Sequence, residues 1–114
     1  MGNILQAIKL QMEPLRSLAF GDISGTYTAI GDPFAFTVRL LLVQNMTDVL
    51  MTFSLDGVND NFVLPTNGFL LIDVTSNRAL SYGFFIAAGT TIYVSTAGSP
   101  STGSVYVTTV YANE

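Results

Sequence analysis

The densest run of oxygen ligands in the sequence is Asp56-Gly57-Val58-Asn59-Asp60-Asn61, with two carboxylates and two side-chain amides. Such groups hold hard cations, and Ca2+ is the ion they would suit. The order lacks the alternate spacing of an EF-hand loop, and its Asp-Gly and Asn-Asp pairs are equally the residues of a type I or I′ turn, which makes fewer demands. Within a turn, solvent would keep Asp56 and Asp60 ionised, so they are poor candidates for paired acid-base work. Asn45-Met46-Thr47 fits the glycosylation sequon, but no secretory leader is expected ahead of it, because Lys9 and Glu13 interrupt any apolar run. Serine and threonine are plentiful, yet there is no His, no Cys and no Gly-x-Ser-x-Gly elbow. The chain therefore lacks the commonest base, the commonest thiolate and the commonest transition-metal ligands. The expectation is a protein that is not an enzyme, with no catalytic residues, no cofactor and no metal.

Composition narrows the partners. The sequence has 114 residues, four basic against eight acidic, a net charge of -4, and 11% charged residues against 49% hydrophobic. Lys9, Arg16, Arg39 and Arg78 are scattered, which argues against specific nucleic-acid binding through phosphates. Its apolar runs, such as Leu40 to Val43, are far short of the ~20 residues of a membrane span, so no membrane is expected. So few charges are not enough to coat the surface of an ordinary soluble monomer, and part of the apolar surface is expected to meet another protein chain.

The elements that would carry these residues are almost all strands. Val49 to Leu55, Phe62 to Leu64 and Phe69 to Val74 are apolar runs separated by Asp-Gly, Asn-Asp-Asn and Pro-Thr-Asn-Gly turns. Before them, Leu15 to Phe20 and Thr26 to Ile30 are short strand candidates. Phe36, Val38, Leu40 and Leu42 alternate with Thr37, Arg39, Leu41 and Val43, predicting a strand whose first set faces the core. Asn45 to Asp48 reads as a hairpin loop joining it to Val49, Met51, Phe53 and Leu55. After a polar connection from Ser76 to Gly83, Phe84 to Ala87, Thr91 to Ala97 and Ser104 to Ala112 complete the set, and residues 62–74 and 85–94 read as two similar hairpins. Asp73, between Ile72 and Val74, is expected to face out or to cap the Ser76-Asn77 turn. About eight strands with turn signals at this spacing predict an all-β antiparallel sandwich over residues 15–114, for which jelly-roll connections are one arrangement that fits.

Residues 1–14 read as a separate N-terminal arm. Ile4, Leu5, Ile8 and Met12 fall at i, i+1, i+4 and i+8, a stripe that one helical face can carry, and Pro14 stops the helix. A segment this short either docks on a surface, such as a neighbouring subunit, or stays a loosely packed terminus. These four residues are the candidate subunit contacts. A carbohydrate- or receptor-binding sandwich is the alternative, with Tyr93 and Tyr106 on successive strands as its platform; cross-strand aromatic packing explains the same pair.

From Leu15 onward the chain resembles small all-β virion proteins of tailed bacteriophages, the head-to-tail connector, collar and capsid-decoration components. The stretches that carry the resemblance are Arg16-Ser17-Leu18-Ala19-Phe20-Gly21, Leu42-Val43-Gln44-Asn45-Met46-Thr47-Asp48, Ser54-Leu55-Asp56-Gly57-Val58-Asn59-Asp60, Leu71-Ile72-Asp73-Val74-Thr75-Ser76-Asn77 and Gly103-Ser104-Val105-Tyr106-Val107. The resemblance implies a structural protein located in the virion, packing with copies of itself and with other virion proteins, and taking no small-molecule substrate.

Overall fold

The computed structural model describes residues 9–74 and 86–113. Its strands are β1 (Lys9–Met12), β2 (Arg16–Ala19), β3 (Thr28–Ala29), β4 (Val38–Asn45), β5 (Met51–Ser54), β6 (Phe62–Leu64), β7 (Phe69–Asp73), β8 (Tyr93–Ser95) and β9 (Ser104–Asn113). One 3-10 turn follows β2 at Phe20–Asp22, and no α-helix occurs among the described residues. The strands form two antiparallel sheets. In the first, β1 and β2 share one side of β9, followed by β4 and then β7; the second runs β3, β8, β5, β6.

The pairing is nested. β2 pairs with β9, β3 with β8, β4 with β7 and β5 with β6. The chain is thus one long antiparallel ribbon, bent at the loop between β5 and β6 and wound so that alternate pairs fall in alternate sheets. Winding adds the contacts β4 with β9 and β5 with β8. Between the sheets lies a core of Ile23, Ile30, Phe34, Val38, Leu41, Val43, Met51, Phe53, Leu64, Ile86, Ile92, Val94, Val105 and Val107. Phe53 and Phe62 stack within it, ring centroids 5.0 Å apart.

Several expectations change. The helical stripe ends in a strand: residues 9–12 pair with 110–113 of β9, so backbone ladder bonds to a neighbour override a marginal helix. Ile4, Leu5 and Ile8 lie outside the described residues. β4 and β5 are not a hairpin, and neither are β6 and β7; the connections, five residues (46–50) and four (65–68), carry the chain from one sheet to the other. Of the second hairpin, residues 75–85 lie outside the described residues, and Ile86 and Ala87 are not in a strand. On β4 the core face is Leu41, Val43 and Asn45 rather than Leu40 and Leu42. Val38 still points inward because the register against β9 shifts between Val38 and Leu40, a bulge that moves the alternation by one residue.

A second irregularity joins β1 to β2. Both run along β9, but the partner sums change by one between Met12↔Val110 and Arg16↔Val107, so one extra residue is accommodated there. Pro14 lies in this join. It has no N–H for a ladder, which is why proline is tolerated at an edge and at a bulge. Glu13, ahead of the bulge, continues the ladder opposite the buried Thr109 and so faces inward, where its carboxylate meets Arg16.

Candidate functional site

The strand registers place four rows of side chains on the outer face of the first sheet. Phe69, Gln44, Tyr106 and Ser17 form one row. Leu71, Leu42 and Thr108 form the next, with Leu15 beside them at the join of β1 and β2. Asp73, Leu40, Val110 and Met12 form the third, and Leu10 on β1 marks the fourth. Leu10, Met12, Leu15, Phe69 and Leu71 are 57%, 64%, 60%, 64% and 55% exposed, whereas a scattered surface leucine would need no explanation. Here they line the two sides of the sheet, Leu10, Met12 and Leu15 beside β9 and Phe69 and Leu71 on β7, with the half-buried Leu40, Leu42 and Val110 between them. Among the described residues of these rows the one charged side chain is Asp73, exposed at a corner as its position between Ile72 and Val74 predicted.

The local sequence dictates this face. Leu40-Leu41-Leu42-Val43 and Phe69-Leu70-Leu71-Ile72 are apolar at every position, so whichever set turns to the core, the other set is apolar as well. Continuous apolar strands belong in sheets covered on both faces. Met12 is the one described member of the proposed subunit contacts and lies on this face. The other members were not singled out from sequence, although unbroken apolar runs on two neighbouring strands were the available signal.

The outer face of the second sheet is different in kind. Thr52, Ser95, Tyr93 and Tyr27 line it, with Val63 as an exposed apolar side chain at its edge. Tyr93 is therefore on the opposite outer face from Tyr106, and the two do not form one platform; β8 and β9, though adjacent in sequence, belong to different sheets. The Tyr27 hydroxyl donates to Asp60, and desolvation first, then the adjoining carboxylate, raises the phenol above its usual range. A shallow cleft of about 310 Å³ is lined there by Tyr27, Thr52, Asp60 and Ser95.

The run Asp56 to Asn61 is the loop between β5 and β6, and its donors are directed inward. Asp56 Oδ1 accepts from the N–H groups of Val58 and Asn59, both 2.8 Å, and from the Ser54 hydroxyl, while Oδ2 accepts from Asn59 Nδ2. These bonds, those from the Asn59 and Val58 backbone foremost, hold the carboxyl well below its usual range. Asp56 is an Asx-type cap whose acceptors are already in use, which leaves the turn reading in place. No group of three or more acidic, His or Cys side chains among the described residues is arranged to hold a metal ion.

Two polar clusters are structural. Asn45, fully buried, donates from Nδ2 to the carbonyls of Val49 and Leu64, both 2.9 Å, and accepts at Oδ1 from the Thr47 N–H and hydroxyl at 2.9 and 2.6 Å. The sequon amide is thus committed inside the fold. Arg16 donates to Glu13 Oε1 at 2.8 Å, to the carbonyls of Asp32 and Pro33, and lies 4.9 Å from the Phe34 ring centroid. A cleft of about 470 Å³ opens beside this pair, lined by Pro14, Leu15, Ser17 and Gly31 among others. Glu13 Oε2 is buried without a protein partner, a place for an ordered water.

No family model, no curated protein and no solved structure matches this chain. No helix among the described residues is long and apolar enough to cross a membrane.

Proposed function

We propose that this chain is a non-enzymatic structural subunit that assembles in multiple copies, together with other virion proteins, at the head-tail neck or on the capsid of a tailed-phage particle. The observation that supports assembly is the outer face of the first sheet, where Leu10, Met12 and Leu15 along one side and Phe69 and Leu71 along the other are exposed. The virion setting rests on the resemblance carried by Leu42 to Asp48, Ser54 to Asp60 and the other stretches named above. The nested pairings, with strand orders β2-β9-β4-β7 and β3-β8-β5-β6, support a jelly-roll assignment for the sandwich, a rigid two-layer unit suited to side-by-side packing.

Light scattering on the purified chain across micromolar concentrations, followed by negative-stain imaging, tests the reading. Defined multimers are expected. A monomer throughout refutes it. Monomers that bind immobilised glycans, with loss on Tyr27→Ala, would favour the carbohydrate-binding alternative, whose support is the Tyr27, Asp60 and Ser95 cleft on the polar face.

A further inference from the structure

We infer that the two open edges of the first sheet form one interface, β7 of one copy adding antiparallel to β1 of the next so that the sheet continues from copy to copy; the inference rests on the assembly reading and names its contact. The hydrogen-bond phase decides which residues face each edge. The Val74 N–H donates to the Arg39 carbonyl at 2.7 Å and the Gly68 carbonyl accepts from the Asn45 N–H at 2.9 Å, so residues 68, 70, 72 and 74 turn their backbone groups to β4. Phe69 and Leu71 therefore present theirs to the open side. On the opposite edge the Glu13 N–H donates to the Thr109 carbonyl, so Gln11 and Glu13 face β9, while Leu10 and Met12 face out. The same four residues carry exposed apolar side chains.

Each edge finds its match on the other. The four strand positions alternate in direction, so β1 runs opposite to β7, and a copy set alongside in the same orientation continues the antiparallel order. Residues directly opposite in an antiparallel pair share a face, so Leu10 and Met12 meet Phe69 and Leu71 with all four side chains outward. Lys9 opens β1 and Asp73 closes β7, which brings opposite signs to the same end of the pair. Arg39 on β4, level with Val74, lies one strand further in, and both it and Asp73 are already engaged, so charge does not oppose the contact. Pro14, next in phase after Met12, has no N–H to offer a neighbour, and the pairing ends there. The edges of the second sheet are blunted: β3 has two residues, and β6 has three before Pro65. β7 has neither a proline nor a bulge against β4. A foreign strand would fill one edge, whereas a copy of this chain fills both. Such a head-to-tail contact is heterologous and closes into a ring where the rotation permits. One contact of a few residues is weak, and closure holds each copy on two sides.

The test uses the full-length chain. Because it has no cysteine, Leu10→Cys and Leu71→Cys introduce thiols singly or together. Within one copy the two positions are three strand spacings, about 14 Å, apart, so a bismaleimide of shorter reach joins them only between copies. The double variant is expected to give a ladder of trimers and larger products on a denaturing gel, and neither single variant to link to itself. Leu71→Pro and Met12→Pro each remove an N–H that only the neighbour uses. With circular dichroism matching the parent, each should raise the concentration needed for assembly about tenfold or more in light scattering. Ser17→Pro, whose N–H faces the open side of β2, should leave it unchanged. Leu71→Cys linking to itself reveals a two-fold β7 contact and overturns the inference, and an equal effect of Ser17→Pro moves the contact to β2 and does the same. Multimers that both β1 and β7 proline variants leave intact, or that yield no ladder with both thiols, overturn this contact while assembly stands. A monomeric parent overturns both.

Discussion

Replacing Asn45 by alanine removes four hydrogen bonds from a site with no access to water. The side chain ties the end of β4 to the Val49 carbonyl beyond the first sheet-to-sheet crossing and to the Leu64 carbonyl at the end of β6. Its backbone also holds the second crossing, accepting from the Asn67 N–H at 2.8 Å and donating to the Gly68 carbonyl at 2.9 Å. In the variant the Val49 carbonyl keeps the Thr47 hydroxyl at 3.1 Å. The Thr47 N–H and the Leu64 carbonyl lose the Asn45 side chain. Each buried group left unpaired costs about 1–3 kcal/mol, so the loss is roughly 4 kcal/mol, a large part of the ~5–15 kcal/mol of a typical domain. Urea unfolding read by tyrosine fluorescence, which no tryptophan obscures, should show the midpoint lowered by about 2 M at an unchanged slope. A loss below about 1 kcal/mol would refute the claim that Asn45 fastens both crossings. Asn45→Asp keeps the shape but presents a carboxylate to two carbonyls, so its deficit should grow as pH rises above about 4 and be smallest in acid.

Gly103 precedes β9 at φ 90°, and a Cβ there would overlap the Met46 carbonyl. Gly103→Ala should therefore cost at least about 2 kcal/mol, visible as a melting temperature lowered by several degrees, and an unchanged melt would contradict the close approach. Arg16→Met leaves the Glu13 carboxylate buried without its cation and should cost about 3–5 kcal/mol; adding Glu13→Gln should restore part of it, and a double-mutant cycle with no coupling would show the pair to be idle. Asp56 and Asp48 both have folded-state values below the ordinary 3.8, Asp48 chiefly through the Ser101 hydroxyl and N–H. Their contribution is complete above the unfolded value and is lost as pH falls through the folded one, so the urea midpoint should hold down to about pH 4 and drop beneath it. Asp56→Asn should flatten that drop, and an equally steep drop in the variant would exclude this source.

The strands were legible where one face alone is apolar. On β9, Val105, Val107 and Thr109 are buried and their neighbours are not, as the alternation predicts, and β5 buries Met51 and Phe53 for the same reason. The loop between β5 and β6 was legible from its Asp-Gly and Asn residues. What joins to what was not. Asn45 to Asp48 and Pro65 to Gly68 are good turns whether the next strand returns alongside or crosses the core, and only the long-range pairing decides between them. The bulge near Arg39 has no residue signature, yet it exchanges the two faces of β4. In the functional face, an apolar residue at every position conceals the outward set behind the inward one, so the sequence indicated excess apolar surface without its location. Met12 was singled out for a helical stripe and belongs instead to a strand on that face.

Nesting also sets the order in which the molecule can be made. Partner separation grows from Phe53↔Phe62 near the bend to Lys9↔Asn113 at the ends, so closure proceeds outward from the loop and is completed by the most distant contacts. β9 leaves the ribosome after the other described strands, yet it lies in the middle of the first sheet, between β4 and the strands β1 and β2. Until it arrives, β1, β2 and β4 have no common neighbour and the apolar rows do not exist as a surface. Synthesis thereby acts as a timer: the outer face of the first sheet is completed only when β9 has emerged.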